Sequence, residues 1–255
     1  YVGSMPLGYA QDTGILKKWG KKYGVDLEAV QVNDYVEGIN QYTTGQFDGV
    51  ITMVLDALTI PAASGVDTSM PILLSNSLGN DGLIMKGDTD LKSLKGKQIN
   101  LVQFSGSHYL MTRALDSVGL TEKDIKIVNT SDADMTAMFP DPSIQGMVTW
   151  KPQLSNILEQ NKDAHLVFSS ADIPGEINDG IIVHTELLKK NPGIGKAITG
   201  AWYEVMQILA TPGAERDKAV AAMADASGSS VESFENQLKT THFYKPKEAA
   251  DYVAS

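Results

Sequence analysis

Short β-branched runs alternate with amphipathic helical stretches along most of the chain, and that rhythm admits few architectures. Ile15, Leu16, Trp19 and Tyr23 share one helical face that stops at Gly24, with Asp12 and Thr13 placed to cap it. Residues 27–32 then read as a strand, 35–44 as a second helix ended by Gly45, 49–54 as a buried strand and 56–64 as a further helix. Strand-like pieces at 71–75 and 82–86 bracket a polar loop. After Gly87-Asp88-Thr89-Asp90 the alternation restarts, with strands at 98–102, 125–129, 146–149 and 165–169 and a helix at 108–118. The loop 170–179 reads as a return crossing, 180–184 as a strand, and the remainder as helices that include 195–210 and 214–226. The expected fold is α/β, with two lobes that are each a mainly parallel sheet covered by helices. Lobe I takes residues 1–87 and 180–255, lobe II takes 88–179, and the hinges fall near 86–88 and 178–181.

Composition removes whole classes of function. At 255 residues the chain can bury a substantial core. A net charge of −10 with scattered Lys and Arg repels polyphosphate, so no nucleic-acid partner is expected. The absence of cysteine excludes disulfides, thiolate metal sites and thiol nucleophiles. The four histidines, His108, His165, His184 and His242, lack metal-ligand spacing. Neither a metal nor a cofactor is expected, and no apolar run reaches the ~20 residues of a membrane span. Tyr1-Val2-Gly3 reads as the inside of a first strand whose beginning was removed.

In open α/β sheets ligands sit outside the carboxyl ends of strands, which directs attention to the loops there. Ser4, Met5 and Tyr9 occupy the first such loop, Asp56 follows the strand at 49–54, and Trp150 follows the strand at 146–149. Ser105-Gly106-Ser107 opens a helix and offers backbone N–H groups and hydroxyls to a solute. Asp81, Asp172 and Glu176 add carboxylates at a loop and at the return crossing. Each has a simpler reading beside this one. Asp56 can cap a helix, Asp81 can belong to an Asn-Asp-Gly turn, Asp172 and Glu176 can be solvated loop charges, and Trp150 and Tyr9 can be packing.

The order of YVGSMPLGYAQDTGILKKWGKKYGVDLE, GINQYTTGQFDGV, SGVD, NSLGNDGLIMKGDTDLKSLKGKQI, VQFSGSHYL and WKPQL resembles the nitrate, sulfonate and taurine family of ABC-importer receptors over nearly the whole chain. The resemblance implies a type II periplasmic-binding-protein (Venus-flytrap) fold without catalysis. It also implies a periplasmic or lipid-anchored monomer that closes by hinge motion over a small-molecule solute and delivers it to an ABC permease and its ATPase. Contact with the membrane would run only through an anchor or the permease.

The segment Phe139-Pro-Asp-Pro-Ser-Ile-Gln-Gly-Met-Val-Thr-Trp150 departs from the family pattern, and the opening loop and the Ser105 segment carry no arginine or lysine. Anion sites need positive charge or several aligned donors. Asp56, Asp81, Asp172 and Glu176 point instead to a cation or planar amide, on which Trp150 or Tyr9 can stack. The motifs also resemble the branch associated with urea-carboxylase-type nitrogen metabolism. Guanidinium is therefore the first expectation, and urea or a small amine the second. A sulfonate, taurine or nitrate receptor is the alternative. A thiamine-pyrimidine-synthase-like enzyme or a sensory domain on the same fold stands further back, since the enzyme's cysteine-rich and paired-histidine signatures are missing. A serine hydrolase lacks its nucleophile elbow, and a glycosidase pair of Asp56 and Asp81 lacks the aromatic lining of a sugar cleft.

Overall fold

The structure is a computed structural model that describes residues 1–254. In chain order the helices are α1 (Met5–Asp12), α2 (Ile15–Tyr23), α3 (Tyr35–Thr43), α4 (Val54–Ala57), α5 (Gly106–Ser117), α6 (Met135–Met138), α7 (Gln153–Gln160), α8 (Thr185–Lys190), α9 (Gly193–Ala210), α10 (Ala214–Ala226), α11 (Val231–Lys239) and α12 (Pro246–Ala254). The strands are β1 (Gly49–Met53), β2 (Thr68–Ser77), β3 (Asp81–Lys86), β4 (Gln98–Leu101), β5 (Lys126–Asn129), β6 (Gly146–Trp150), β7 (Ala164–Ser169), β8 (Asn178–His184) and β9 (Thr241–Phe243).

The chain forms two compact units. The first holds Tyr1–Val32, Glu37–Ser75 and everything from Asn178 onward, and the second holds Asn33–Val36 and Asn76–Ile177. In the first unit a four-stranded sheet has the order β1-β8-β2-β9, with β1 and β8 antiparallel. Ile72, Leu74, Ile181, Val183, Ile194, Ile198 and Trp202 form its main core, where two strands meet the apolar face of α9. Helix α2 packs closely on α9 because Gly200 lies directly against the Trp19 ring, where a side chain would collide. The indole N–H of Trp19 donates to Glu204 at 2.6 Å and fixes the ring in that position.

The second unit's sheet has the order β5-β4-β6-β3-β7. β4 is parallel to β5 and β6, whereas β3 is antiparallel to both β6 and β7. Four strands therefore share one direction and β3 alone opposes them, so β3 begins at the end where its neighbours finish. Ile84, Met147, Phe139, Leu154 and Ile157 build the core on one face of this sheet. Where the chain enters and leaves the unit, the Ser77 N–H and the Asn76 side-chain amide both donate to the Ile177 carbonyl at 2.9 Å.

Three local expectations change. Because β3 is paired on both edges inside the second sheet, residues 76–87 group with the second unit, whereas the sequence boundary after residue 87 had left them in the first. Gly87, with φ 74°, ends a strand there and begins no new lobe. Residues 1–3 form a turn that leads into α1, not a strand, and Ser4, Met5 and Tyr9 belong to a helix and its cap instead of a loop. Residues 27–30 alternate in burial, with Leu27 and Ala29 packed inward, but residues 27–32 join no ladder among the described residues. No described helix is long and apolar enough to cross a membrane.

Candidate functional site

The opening of α5 supplies the most distinctive polar geometry of the second unit. Ser105, in extended conformation, caps the helix: its Oγ accepts the Ser107 N–H at 3.1 Å and donates to the Val102 carbonyl at 2.8 Å. Gly106 heads the helix, where a first-turn N–H has no acceptor within the helix itself. Ser107 is fully buried, yet its Oγ has no hydrogen-bond partner among the described residues. No acidic side chain belongs to the first turn, where the helix dipole is positive. Phe104, just before the cap, has φ 62° and donates its N–H to His108 Nδ1 at 3.2 Å. His108 Nε2 in turn lies 3.1 Å from Glu122 Oε1.

The end of β6 and the start of β3 stand at the same end of the sheet, because β6 is parallel to β4 and β3 starts where they stop. Thr149 is fully buried, and its Oγ1 has no hydrogen-bond partner among the described residues. Trp150 is partly buried and meets Tyr35 edge-on, with ring centroids 5.8 Å apart. Lys151 is half-buried, its N–H is held by the Asn80 carbonyl at 2.9 Å, and burial lowers the pKa of its ammonium group. Asp81 lies opposite Trp150 in the β3–β6 register. Ser77 donates to the Asp81 carboxylate at 2.5 Å, while Ser170 Oγ accepts the Gly79 N–H at 2.7 Å and lies 2.7 Å from Ser77 Oγ. With the single Ser77 proton committed to Asp81, Ser170 is the donor in that last contact. Burial raises the Asp81 pKa to about 6 against the opposing pull of the Ser77 hydrogen bond.

The remaining expected site residues have other surroundings. Ser4 Oγ donates to the Tyr1 carbonyl at 2.9 Å, and Met5 and Tyr9 pack beside Val2, Val220 and Phe234 in the first unit. The Tyr9 pKa is raised by burial and then by Glu215. Asp56 is buried within α4 of the first unit, where Met53 rather than Asp56 holds the cap position. Asp172 closes a capping box, accepting the Ser169 N–H at 2.8 Å and the Ser169 hydroxyl at 3.1 Å. Glu176 accepts from Arg113 Nε at 2.7 Å, Arg113 Nη2 at 3.1 Å and the Tyr109 hydroxyl at 2.6 Å. The Arg113 hydrogen bond holds the Glu176 pKa below the usual carboxylate range, while burial followed by Glu176 pushes Tyr109 up to about 12. Asp172 and Glu176 therefore serve the chain's own loops and are not open carboxylates.

The structure thus brings Ser105, Ser107, Trp150 and Asp81 to one end of one sheet, and adds Thr149 and Lys151. Their signal in the sequence was their place beside Trp150 at the end of an apolar strand. Among the described residues no group of three or more His, Asp or Glu side chains is arranged to hold a metal.

A mixed α/β architecture of two sheets, with donors gathered at strand ends, is the fold of the periplasmic binding proteins. A model of the NMT1-like family matches residues 3–224, and the chain belongs to that family. It is 27% identical over 155 residues to the taurine-binding periplasmic protein of Escherichia coli strain K12, a match that covers 58% of this chain and 48% of that protein. The chain thus aligns with about half the length of this relative. The periplasmic aliphatic sulphonate binding protein SsuA from Escherichia coli superposes with a TM-score of 0.76 at 19% identity, covering 98% of this chain and 86% of that one. The alkanesulfonate-binding protein SsuA from Xanthomonas axonopodis pv. citri, bound to MOPS, gives 0.79 at 17% identity, covering 99% and 88%. At these identities the two structures speak for the fold.

Proposed function

We propose that the protein is the solute receptor of an ABC importer, working in the periplasm and binding a small oxyanion of the sulfonate class for a permease and its ATPase. The observation that carries this reading is the fully buried, unpartnered hydroxyl of Ser107 in the first turn of α5. A sulfonate head accepts hydrogen bonds and donates none. It therefore matches the Gly106 N–H and the Ser107 hydroxyl, and it favours the positive end of the helix dipole. Lys151, just past the end of β6, the strand next to β4, adds an ammonium group to the same end of the sheet. The taurine- and sulfonate-binding relatives support the same class.

Guanidinium, the first expectation from the sequence, is placed second to this alternative. It rested on four carboxylates, of which Asp172 and Glu176 are engaged by the chain itself and Asp81 is buried and already accepts the Ser77 hydroxyl. Guanidinium has no acceptor to offer a helix opening, and it is repelled by the positive end of that helix. Capture by hinge closure is carried with the proposal, and small-angle scattering with and without solute measures it. Isothermal titration with methanesulfonate, ethanesulfonate, taurine, nitrate, guanidinium and urea tests the assignment. Sulfonate binding is expected, and heat from guanidinium or urea with none from any sulfonate sinks it.

A further inference from the structure

We infer that Phe104 reads the organic part of the solute: its ring covers the carbon tail of an oxyanion whose head rests on the opening of α5, so the site selects organic sulfonates over inorganic oxyanions. The inference rests on the oxyanion reading above and deepens it.

Phe104 is the one non-glycine residue with positive φ among the described residues, at 62°. An L-residue with a bulky side chain is strained there, and glycine would make the same turn without cost. The ring does not recover that cost by packing, because Phe104 is 65% exposed. An ordinary role for an apolar residue just before a helix cap is the hydrophobic staple, in which it packs on the fourth helical residue, here Tyr109. The staple is not formed: the Phe104 ring meets His108 edge-on instead, with centroids 6.0 Å apart.

The strained backbone is held in place. The Phe104 N–H donates to His108 Nδ1, which requires that ring nitrogen to be unprotonated, and His108 Nε2 lies 3.1 Å from Glu122 Oε1. His108 is the third residue of α5, so the helix itself fixes the aromatic ring next to its own opening. A single exposed apolar side chain needs no explanation, but one kept in a costly conformation beside a buried, unpartnered hydroxyl does. Phe104 adjoins the cap Ser105 and stands two residues from Gly106, within reach of a short alkyl chain on an anion seated there. Phenyl cover of an alkyl tail gives about two- to fourfold tighter binding per added methylene, the lower figure applying to cover of one face.

The test is a calorimetric series of methane-, ethane-, propane- and butanesulfonate, together with sulfate and nitrate, on the wild-type chain and on Phe104→Gly and Phe104→Leu. Glycine suits the left-handed backbone, so the first variant is expected to fold, and circular dichroism checks this. The expected result is wild-type affinity that climbs along the series, a flat series in Phe104→Gly with methanesulfonate changed less than about twofold, and an intermediate slope in Phe104→Leu. An unchanged slope in Phe104→Gly, or sulfate and nitrate bound by the wild type as tightly as butanesulfonate, overturns the inference alone. Failure of every sulfonate to bind the wild type overturns the oxyanion reading and this inference with it.

Discussion

Ser77 gives its hydroxyl proton to the Asp81 carboxylate across 2.5 Å at the point where β3 begins opposite Trp150. Burial outweighs that hydrogen bond and lifts the Asp81 pKa from 3.8 to about 6. The folded protein therefore binds the Asp81 proton more tightly than the unfolded chain does. This contribution to stability is complete below pH 4 and is lost as the pH rises through 6, with a span on the order of 3 kcal/mol. Asp81→Asn keeps a neutral side chain at every pH. Urea unfolding at pH 4.5 and 7.5 should show wild type losing stability relative to the variant at the higher pH, and a constant difference would refute it. An ionised Asp81 also repels an anion, so sulfonate affinity should be stronger at pH 5 than at pH 7.5.

Ser107→Ala and Ser105→Ala separate binding from capping. Removal of the Ser107 hydroxyl takes away a donor without breaking any hydrogen bond among the described residues, so sulfonate affinity should fall about tenfold while stability is held or slightly raised. Ser105→Ala removes the cap and should cost about 1 kcal/mol of stability. Calorimetry and thermal melts on both variants distinguish the two roles.

Lys151→Met tests the charge assigned to the neighbouring strand end. Sulfonate affinity should drop about tenfold and lose part of its dependence on ionic strength, whereas neutral urea should be unaffected. Titrations at low and high salt provide both readings, and an unchanged salt slope would count against the role.

Gly200→Ala weighs helix propensity against packing. Alanine gains about 1 kcal/mol in the middle of α9, but its methyl group meets an indole that Glu204 holds in place, and overpacking of this kind costs about 1–3 kcal/mol. The packing term should win, lowering Tm by about 3 °C in a melt.

The α/β rhythm was legible because each β-branched run and each apolar helical face repeats at its own period. The α5 opening was legible because Ser-Gly-Ser precedes such a face. Helix α1 was not, since Pro6 and Gly8 interrupt the pattern, although proline near a helix start costs nothing. The unit boundary was misplaced because Leu83, Ile84 and Met85 read as a buried strand in either sheet, and only pairing assigns them. Glu176 looked like a loop charge because its partner Arg113 lies 63 residues away in sequence. Nothing in the residues around Phe104 announces a left-handed backbone.

The joint at Ile177, where one carbonyl receives both Asn76 and Ser77, bears on how this protein can be re-engineered. Entry and exit of the 76–177 segment are tied to a single atom, and every group assigned here to the oxyanion lies between them. On the oxyanion reading proposed above, solute preference sits in a segment with adjacent ends, the arrangement that tolerates insertion into a foreign host, joined in its unit by residues 33–36. Exchange of that segment between relatives should transfer cargo choice while the remaining framework stays constant.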